Sequence, residues 1–456
     1  MPFQFSFTKR VTKHGTIDFY STKFIAWVVF YCYSTLAAIL FQKVILPMLP
    51  ALHGGNGLIA GGDSLLFHKI AKGLAESIRA HGWSSLTLTP EQGITGNVPL
   101  LAGLYAIFGV DPAIIIPINA AVHATSGVLL FLIAQDLWPG RTGSYSGIIA
   151  ASLFIAFPSA LNWYGQIHKD GFAILGMLVI FYSWIHASRQ SWQMRTVLWL
   201  VLGNCAGLAL VVFVRPYNIM LLALSVLISS LILIFYFAVT KKLRKMILCA
   251  LIVGSFLATL GIVNAYAPSH WVTEKQEMLL GFARDQGIEW RWHRTPAIPV
   301  SLDRLAQNAA AVRVVNIYYG KEIKAGSLVD EDIRPDNVWS SLAYLPKATF
   351  IALFAPFPER WLRASSVTSL VSAGETALWY ILVPGVCFAL WYRRSLPLLL
   401  LAVNAIIFLA VLGFTNPNLG TLYRFRYPYI LILILMGVMG WAEMLRRKFG
   451  HRIKKI

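Results

Sequence analysis

The chain has 456 residues, 57% of them hydrophobic, 13% aromatic and 13% charged, with a net charge of +19. Soluble domains carry about 25% charged residues. The composition therefore excludes a disordered chain, a soluble nucleic-acid-binding domain and a secreted disulfide scaffold, and it points to a polytopic membrane protein. The four cysteines, Cys32, Cys205, Cys249 and Cys387, lie inside apolar stretches without metal-ligand spacing. They read as small apolar residues of helices.

In chain order, ten apolar runs are predicted to span: 24–46, 112–136, 145–161, 170–188, 196–213, 217–239, 246–267, 374–392, 396–413 and 427–445. The fold class is thus all-α, a polytopic helical protein of about ten spans. Some runs fall short of the roughly 20 residues a span needs, which implies tilt or local thinning. Residues 1–23 form a basic tail without a plausible cleavage site, so 24–46 reads as an uncleaved first span. Two apolar pieces, 97–109 and 344–357, are too short and too rich in Pro or Gly to cross, and read as interfacial or re-entrant half-helices.

Charge gives an expected orientation. Lys9, Arg10, Lys13, Lys23, Arg141, Arg189, Arg195, Lys241, Lys242, Arg244, Lys245, Arg393, Arg394 and the basic tail 446–456 fall on one set of flanks, where acids are few. By the positive-inside rule those flanks, both termini included, are cytoplasmic. The chain divides into the tail 1–23, a membrane part 24–267 with a first outer loop at 47–96, an outer polar loop at 268–341, a C-terminal membrane part 342–445 and the tail 446–456. The loop 268–341 holds nine basic and ten acidic residues, half of all acids in the chain. The excess positive charge therefore reads as an orientation signal and a contact with anionic headgroups, not as a nucleic-acid surface.

The unusual polar residues collect on the outer side of this topology. After Asp63, the positions Leu66, Ile70, Leu74 and Ile78 recur at helical spacing, with His68, Lys69, Lys72, Glu76 and Arg79 on the other face. That is an amphipathic helix along the membrane surface. Asp63 is either its N-cap or a carboxylate able to act as a general base. The junction from Asn162 to Gly171 packs Gln166, His168, Lys169 and Asp170 together. It is either a turn with a local ion pair or a polar site at membrane depth. Arg215 follows the apolar run Leu208–Val214, and Arg424 and Arg426 alternate with aromatics in Tyr423–Pro428. These cations oppose the positive-inside bias. A guanidinium there either reaches lipid headgroups or grips a phosphate. Trp290 and Trp292 flank Arg291, an arrangement that suits either a sugar ring or a surface anchor.

In order and spacing these features resemble the C-type membrane glycosyltransferases, which use polyprenyl-phosphate-linked sugars. The resemblance rests on the outer-loop Asp63 with its amphipathic helix, the segment from Pro99-Leu100 to Phe108-Gly109, the junction from Pro158 to Asp170, and Arg426-Tyr427-Pro428 opening the last span. It covers 24–175 and 415–445 best, and is most similar to bacterial relatives of the dolichyl-phosphate-mannose-dependent mannosyltransferases. The family's first-loop Asp often has a second acid beside it, whereas Asp63 has Gly62 and Ser64.

The resemblance implies a GT-C-like fold in a bacterial inner membrane. It implies an inverting transfer from a polyprenyl-phosphate sugar to a saccharide, lipid or protein acceptor on the outer face, in cell-surface or exopolysaccharide synthesis. Asp63 and Asp170 become the catalytic candidates. Gln166, His168, Lys169, Arg215, Arg424, Arg426 and Tyr427 become substrate-binding candidates. A divalent metal is compatible, with Asp63, His53 and His68 as possible donors, but their spacing is no recognised metal pattern. Two other readings keep the membrane setting. One is a polysaccharide polymerase or O-antigen ligase gripping a pyrophosphate carrier through arginines. The other is a lipid-linked-sugar transporter, which would call for ionisable groups at mid-membrane and two related halves.

Overall fold

The computed structural model describes residues 19–86, 96–189, 193–215, 219–266, 280–281, 284–285, 287, 289–361 and 367–453. The basic stretches 1–18 and 454–456, and 267–279 of the polar segment, lie outside the described residues.

The chain is all-α, and among the described residues β pairing is limited to the isolated bridges His53–Ile59 and Leu328–Asn418. Among the described residues, nine helices are long and apolar enough to cross a membrane, ten if one bent pair counts as a span. The first, α1 (Phe19–Leu40), continues through tighter and wider turns to Met48. Then come the amphipathic α2 (Asp63–His81), the short apolar α3 (Asn97–Phe108), α4 (Ile116–Leu137) and α5 (Arg141–Ala156). The chain bends by 57° between α5 and the segment Pro158–Tyr164, which ends in the short α6 (Leu161–Tyr164). Pro158 brings no N–H to a helical ladder, which suits a break there. Next are α7 (Asp170–Arg189), α8 (Met194–Val214), α9 (Ile219–Val239) and α10 (Leu243–Tyr266). These agree with the spans expected from apolar runs.

The polar segment differs from a plain loop. It contains a 23-residue helix, α11 (Val300–Glu322). Arg313 of α11 is fully buried under the ring of Tyr344 and donates to the carbonyls of Ile333, Asp330 and Phe414 at 2.8, 2.6 and 3.0 Å. A guanidinium has five donors in a fixed fork, so one side chain bolts this segment to the membrane part. The second short apolar helix, α12 (Val338–Phe354), starts earlier than its apolar run, because Asn337 and Ser340 form a capping box. The chain finishes with α13 (Val367–Arg393), α14 (Leu396–Thr415), the short α15 (Leu419–Phe425) and α16 (Tyr427–Ile453).

Several helix crossings depend on glycine, among them α12 and α14, where a Cβ on Gly413 would lie 2.1 Å from the Ala348 carbonyl. A Cβ built on Gly176 of α7 would lie 2.6 Å from the carbonyl of Gly207 in α8. At α13 and α16 the approach is closer: a Cβ on Gly385 would lie 2.2 Å from the carbonyl of Gly437, and one on Gly440 1.8 Å from that of Gly385. Small residues allow such backbone contact between apolar helices.

Candidate functional site

Four parts of the chain bring charged groups to one end of the bundle: the start of α2, the α6–α7 junction, the end of α8, and α15. Gly61 lies at φ +70° just before α2, a conformation glycine adopts without strain. Gly62 occupies the cap position and Asp63 is the first helical residue, so Asp63 is not the side-chain cap that the sequence allows. Its carboxylate instead accepts from Arg424 Nη1 at 2.8 Å.

Arg424 also faces Asp170, with Nε 3.2 Å from Oδ2, an ion pair without hydrogen-bond alignment. The other Asp170 oxygen is taken by Arg215 Nη2. His168 Nδ1 stands 3.7 Å from Asp170 Oδ2. Phe425 keeps the two arginines in register, with its ring centroid 4.3 Å from the Arg215 guanidinium and 5.2 Å from that of Arg424. Cation–π contacts of this kind hold like charges close together.

Burial separates the two carboxylates. The Asp170 side chain is 2% exposed and that of Asp63 43%. Asp170 therefore anchors Arg215 and Arg424 from a buried position. Asp63 is the accessible carboxylate.

Protonation follows from the same burial. Desolvation lowers His168 to about 4, opposed by Asp170 and Asp63 and aided by Arg424 and Lys169. The imidazole is therefore neutral at pH 7. Lys169 is lowered to about 8, first by burial and then by Arg215, against the pull of Asp170 and Asp63. Arg424 is raised, because its two carboxylates outweigh its burial. At pH 7 three cations, Lys169, Arg215 and Arg424, meet two carboxylates, which leaves one net positive charge in a poorly hydrated corner.

The remaining candidates lie elsewhere. Gln166 is fully buried: its Oε1 accepts from the Ile59 N–H at 3.0 Å and its Nε2 donates to the carbonyls of Gly57 and Gly165 at 3.0 Å. Its own carbonyl accepts from Asn119 Nδ2 at 3.0 Å. Gln166 therefore ties the first loop to the α6–α7 junction. Arg426 is 4% exposed, donates to the Ala352 carbonyl at 2.7 Å and lies over Tyr423. Burial lowers it to about 10. Tyr427 is an aromatic core residue, 4.4 Å from Trp163 and near Phe154 and Phe157. Neither Arg426 nor Tyr427 joins the cluster.

Sequence reasoning missed Glu375 of α13. It is 8% exposed and accepts from the Ser159 N–H (2.8 Å), Ser159 Oγ (2.7 Å) and Tyr423 Oη (2.6 Å). A lone acid inside an apolar run was the available signal. Glu375 holds one side of α15 through Tyr423, while Arg424 holds the other.

The suggested metal donors do not assemble. Among the described residues no three His, Cys, Asp or Glu side chains form a metal-sized group. His53 Nε2 accepts from the Gly57 N–H at 3.1 Å, and His68 Nδ1 is hydrogen-bonded to Tyr105 Oη at 2.7 Å. Trp290 and Trp292 sit in the polar segment, donating to the Pro335 carbonyl and to Asp303.

No protein-family model and no curated protein matches the chain. Among solved structures it is similar to the archaeal oligosaccharyltransferase AglB from Archaeoglobus fulgidus, in complex with an inhibitory peptide and a dolichol-phosphate. The TM-score is 0.47 and the identity 12%, over 96% of this chain and 52% of that one. The chain thus spans about half the length of that enzyme.

Proposed function

We propose that the chain is a C-type membrane glycosyltransferase that moves a sugar from a polyprenyl-phosphate carrier to an acceptor hydroxyl. The observation that carries this reading is the net-positive cluster at one end of the bundle, in which a half-exposed Asp63 and two arginines share a corner with a buried anchor, Asp170. Arg424 exchanges one carboxylate for the donor phosphate, and Arg215 and Lys169 add charge beside it. Asp63, released from Arg424, takes the acceptor proton. The acceptor oxygen attacks the anomeric carbon, the carbon–oxygen bond to phosphate breaks, and its electron pair stays on the phosphate. The carrier therefore leaves with one more negative charge, which the cations stabilise.

In this reading the cluster faces the cell exterior or periplasm of a bacterial inner membrane, and both termini are cytoplasmic. The segment 268–341 lies on the acceptor side. A hydroxyl acceptor needs a base, so Asp63→Asn in lipid-reconstituted protein is the test. A folded variant that loses about a hundredfold or more of its transfer rate from a polyprenyl-phosphate sugar supports the reading. Retention of the parent rate would overturn it. The Asp63–Arg424 ion pair then favours the second reading, an arginine-centred polymerase or ligase using a pyrophosphate carrier, in which Asp63 only positions Arg424.

A further inference from the structure

At the end of the bundle away from Asp63, basic side chains from three helices converge. Arg189 Nη2 and Arg393 Nε both donate to the Leu137 carbonyl, at 2.8 and 3.1 Å. Lys245 Nζ donates to the carbonyls of Ser188 and Arg189 at 2.7 and 3.4 Å. Among the described residues no carboxylate lies within ion-pair distance of these three cations. Asp136, whose charge reaches Arg189, is bonded to His186 at 2.6 Å.

A side cavity opens between α7, α9 and α14, and Ser188, whose carbonyl accepts from Lys245, is part of its lining. Ser188 and Pro397 line its end nearest the cations. Ile180 lines it eight residues earlier in α7, so the cavity reaches about 12 Å into the apolar layer. Its one amide, Asn404, is satisfied: it accepts from Ser225 Oγ and donates to Ser229 Oγ at 2.6 Å and the Leu400 carbonyl at 2.7 Å. The inner part therefore offers hydrocarbon contact and no spare polar group.

Trp184 breaks that pattern. It lines the cavity and is 9% exposed, and its indole Nε1 is buried with no acceptor among the described residues. Buried donors nearly always have a partner. Trp184 stands one helical turn, about 6 Å, inward of Ser188. That is the depth at which a glycerol ester follows a headgroup phosphate.

We infer that this is a binding site for one anionic diacyl phospholipid. Its phosphate sits at Arg189, Arg393 and Lys245, an ester carbonyl accepts from Trp184 Nε1, and one acyl chain fills the cavity. The three cations without an acid favour an anionic over a zwitterionic headgroup. The indole donor favours an ester lipid over an isoprenoid chain, which has no carbonyl to offer. The site is independent of the transfer reaction proposed for the opposite end.

Native mass spectrometry of the full-length detergent-purified protein tests this, with dioleoylphosphatidylglycerol and dioleoylphosphatidylcholine as probes. The parent should hold one phosphatidylglycerol at least tenfold more tightly than phosphatidylcholine. Trp184→Phe keeps the ring and removes the donor, and should weaken retention several-fold. The Arg189→Ala/Lys245→Ala variant should abolish the headgroup preference, and Leu401→Trp should block the cavity. Equal retention of both lipids by the parent overturns the proposal. So does unchanged phosphatidylglycerol retention in folded Trp184→Phe and Arg189→Ala/Lys245→Ala protein. Displacement of the bound phospholipid by an equimolar polyprenyl phosphate, insensitive to Trp184→Phe, would assign the cavity to an isoprenoid instead and equally overturn it.

Discussion

Asp63 and Arg424 are 361 positions apart in the chain and 2.8 Å apart in the fold. The first polar turn and the last short helix are thereby closed on each other around Asp170. Arg424 faces two carboxylates of different accessibility, one buried and one open. A guanidinium can do this because its donors point in several directions from one plane, which an ammonium cannot match.

That difference separates Arg424 from Arg426. Arg424→Lys should lower kcat/KM for transfer by about 100-fold, because one ammonium cannot serve both Asp63 and Asp170. Arg426→Lys should leave the donor KM unchanged and lower the melting temperature, since Arg426 donates to the Ala352 carbonyl away from the cluster. Steady-state kinetics beside thermal unfolding of both proteins checks the pair. An equal kinetic effect of the two changes would refute the division of labour.

Asp170 and Asp63 should part company in stability. Asp170→Asn leaves Arg215 and Arg424 facing a neutral amide, and breaking a buried pair costs about 3–5 kcal/mol. Asp63→Asn touches a half-exposed ion pair, worth about 1 kcal/mol or less. Denaturant or thermal unfolding in one detergent should therefore rank Asp170→Asn well below Asp63→Asn, even where both are inactive.

Lys169 predicts opposite trends for activity and stability on the alkaline side. Its folded value is about 8 against an ordinary 10.5, so it is charged below pH 8 and neutral above. Its help in holding a phosphate is present at neutral pH and lost as pH rises through 8, which should raise the donor KM. Between about 8 and 10.5 the unfolded chain binds the extra proton, so this group makes stability rise with pH over that window. Lys169→Arg should move the alkaline fall in donor affinity upward. A pH profile of KM with no inflection near 8 in the parent argues against a role for Lys169 in phosphate binding.

Glu375 should act through α15 without touching substrate. Tyr423→Phe removes one of its three hydrogen bonds and should cost about 1 kcal/mol of stability. Glu375→Ala leaves Ser159 and Tyr423 with unpaired buried donors and should cost more. Both should lower kcat through the placement of Arg424, with donor KM changed less than in Arg424→Lys.

The spans were legible because most runs of apolar residues approach the length needed to cross and recur between polar segments. The amphipathic α2 was legible because Leu66, Ile70, Leu74 and Ile78 repeat at the helical period. Helix α11 was not, because its buried Ala310, Ala311, Val314, Ile317 and Tyr318 are interleaved with charges and amides. Within the cluster, His168, Lys169 and Asp170 announced themselves by crowding a short junction. Arg215 and Arg424 stood out as cations on the wrong flank. What pattern alone could not give was contact between segments hundreds of residues apart, or which of two alternating arginines turns inward to the cluster. Positions two apart on a helix lie about 200° apart around its axis. Arg424 and Arg426 therefore had to face different sides once Leu419–Phe425 proved helical, and the sequence had not marked that helix. The tie made by Gln166 was not legible either, because a buried amide satisfied by backbone has the same composition as one offered to a ligand.

The glycine seam between α13 and α16 leaves little room for variation. A methyl group at Gly440 would fall 1.8 Å from the Gly385 carbonyl, inside the oxygen itself, so even alanine must push two spans apart. The charged corner can exchange some of its groups and remain folded, whereas the seam has no smaller residue to retreat to. A mutational scan should therefore find intolerant positions at Gly385, Gly437 and Gly440, away from the charged corner.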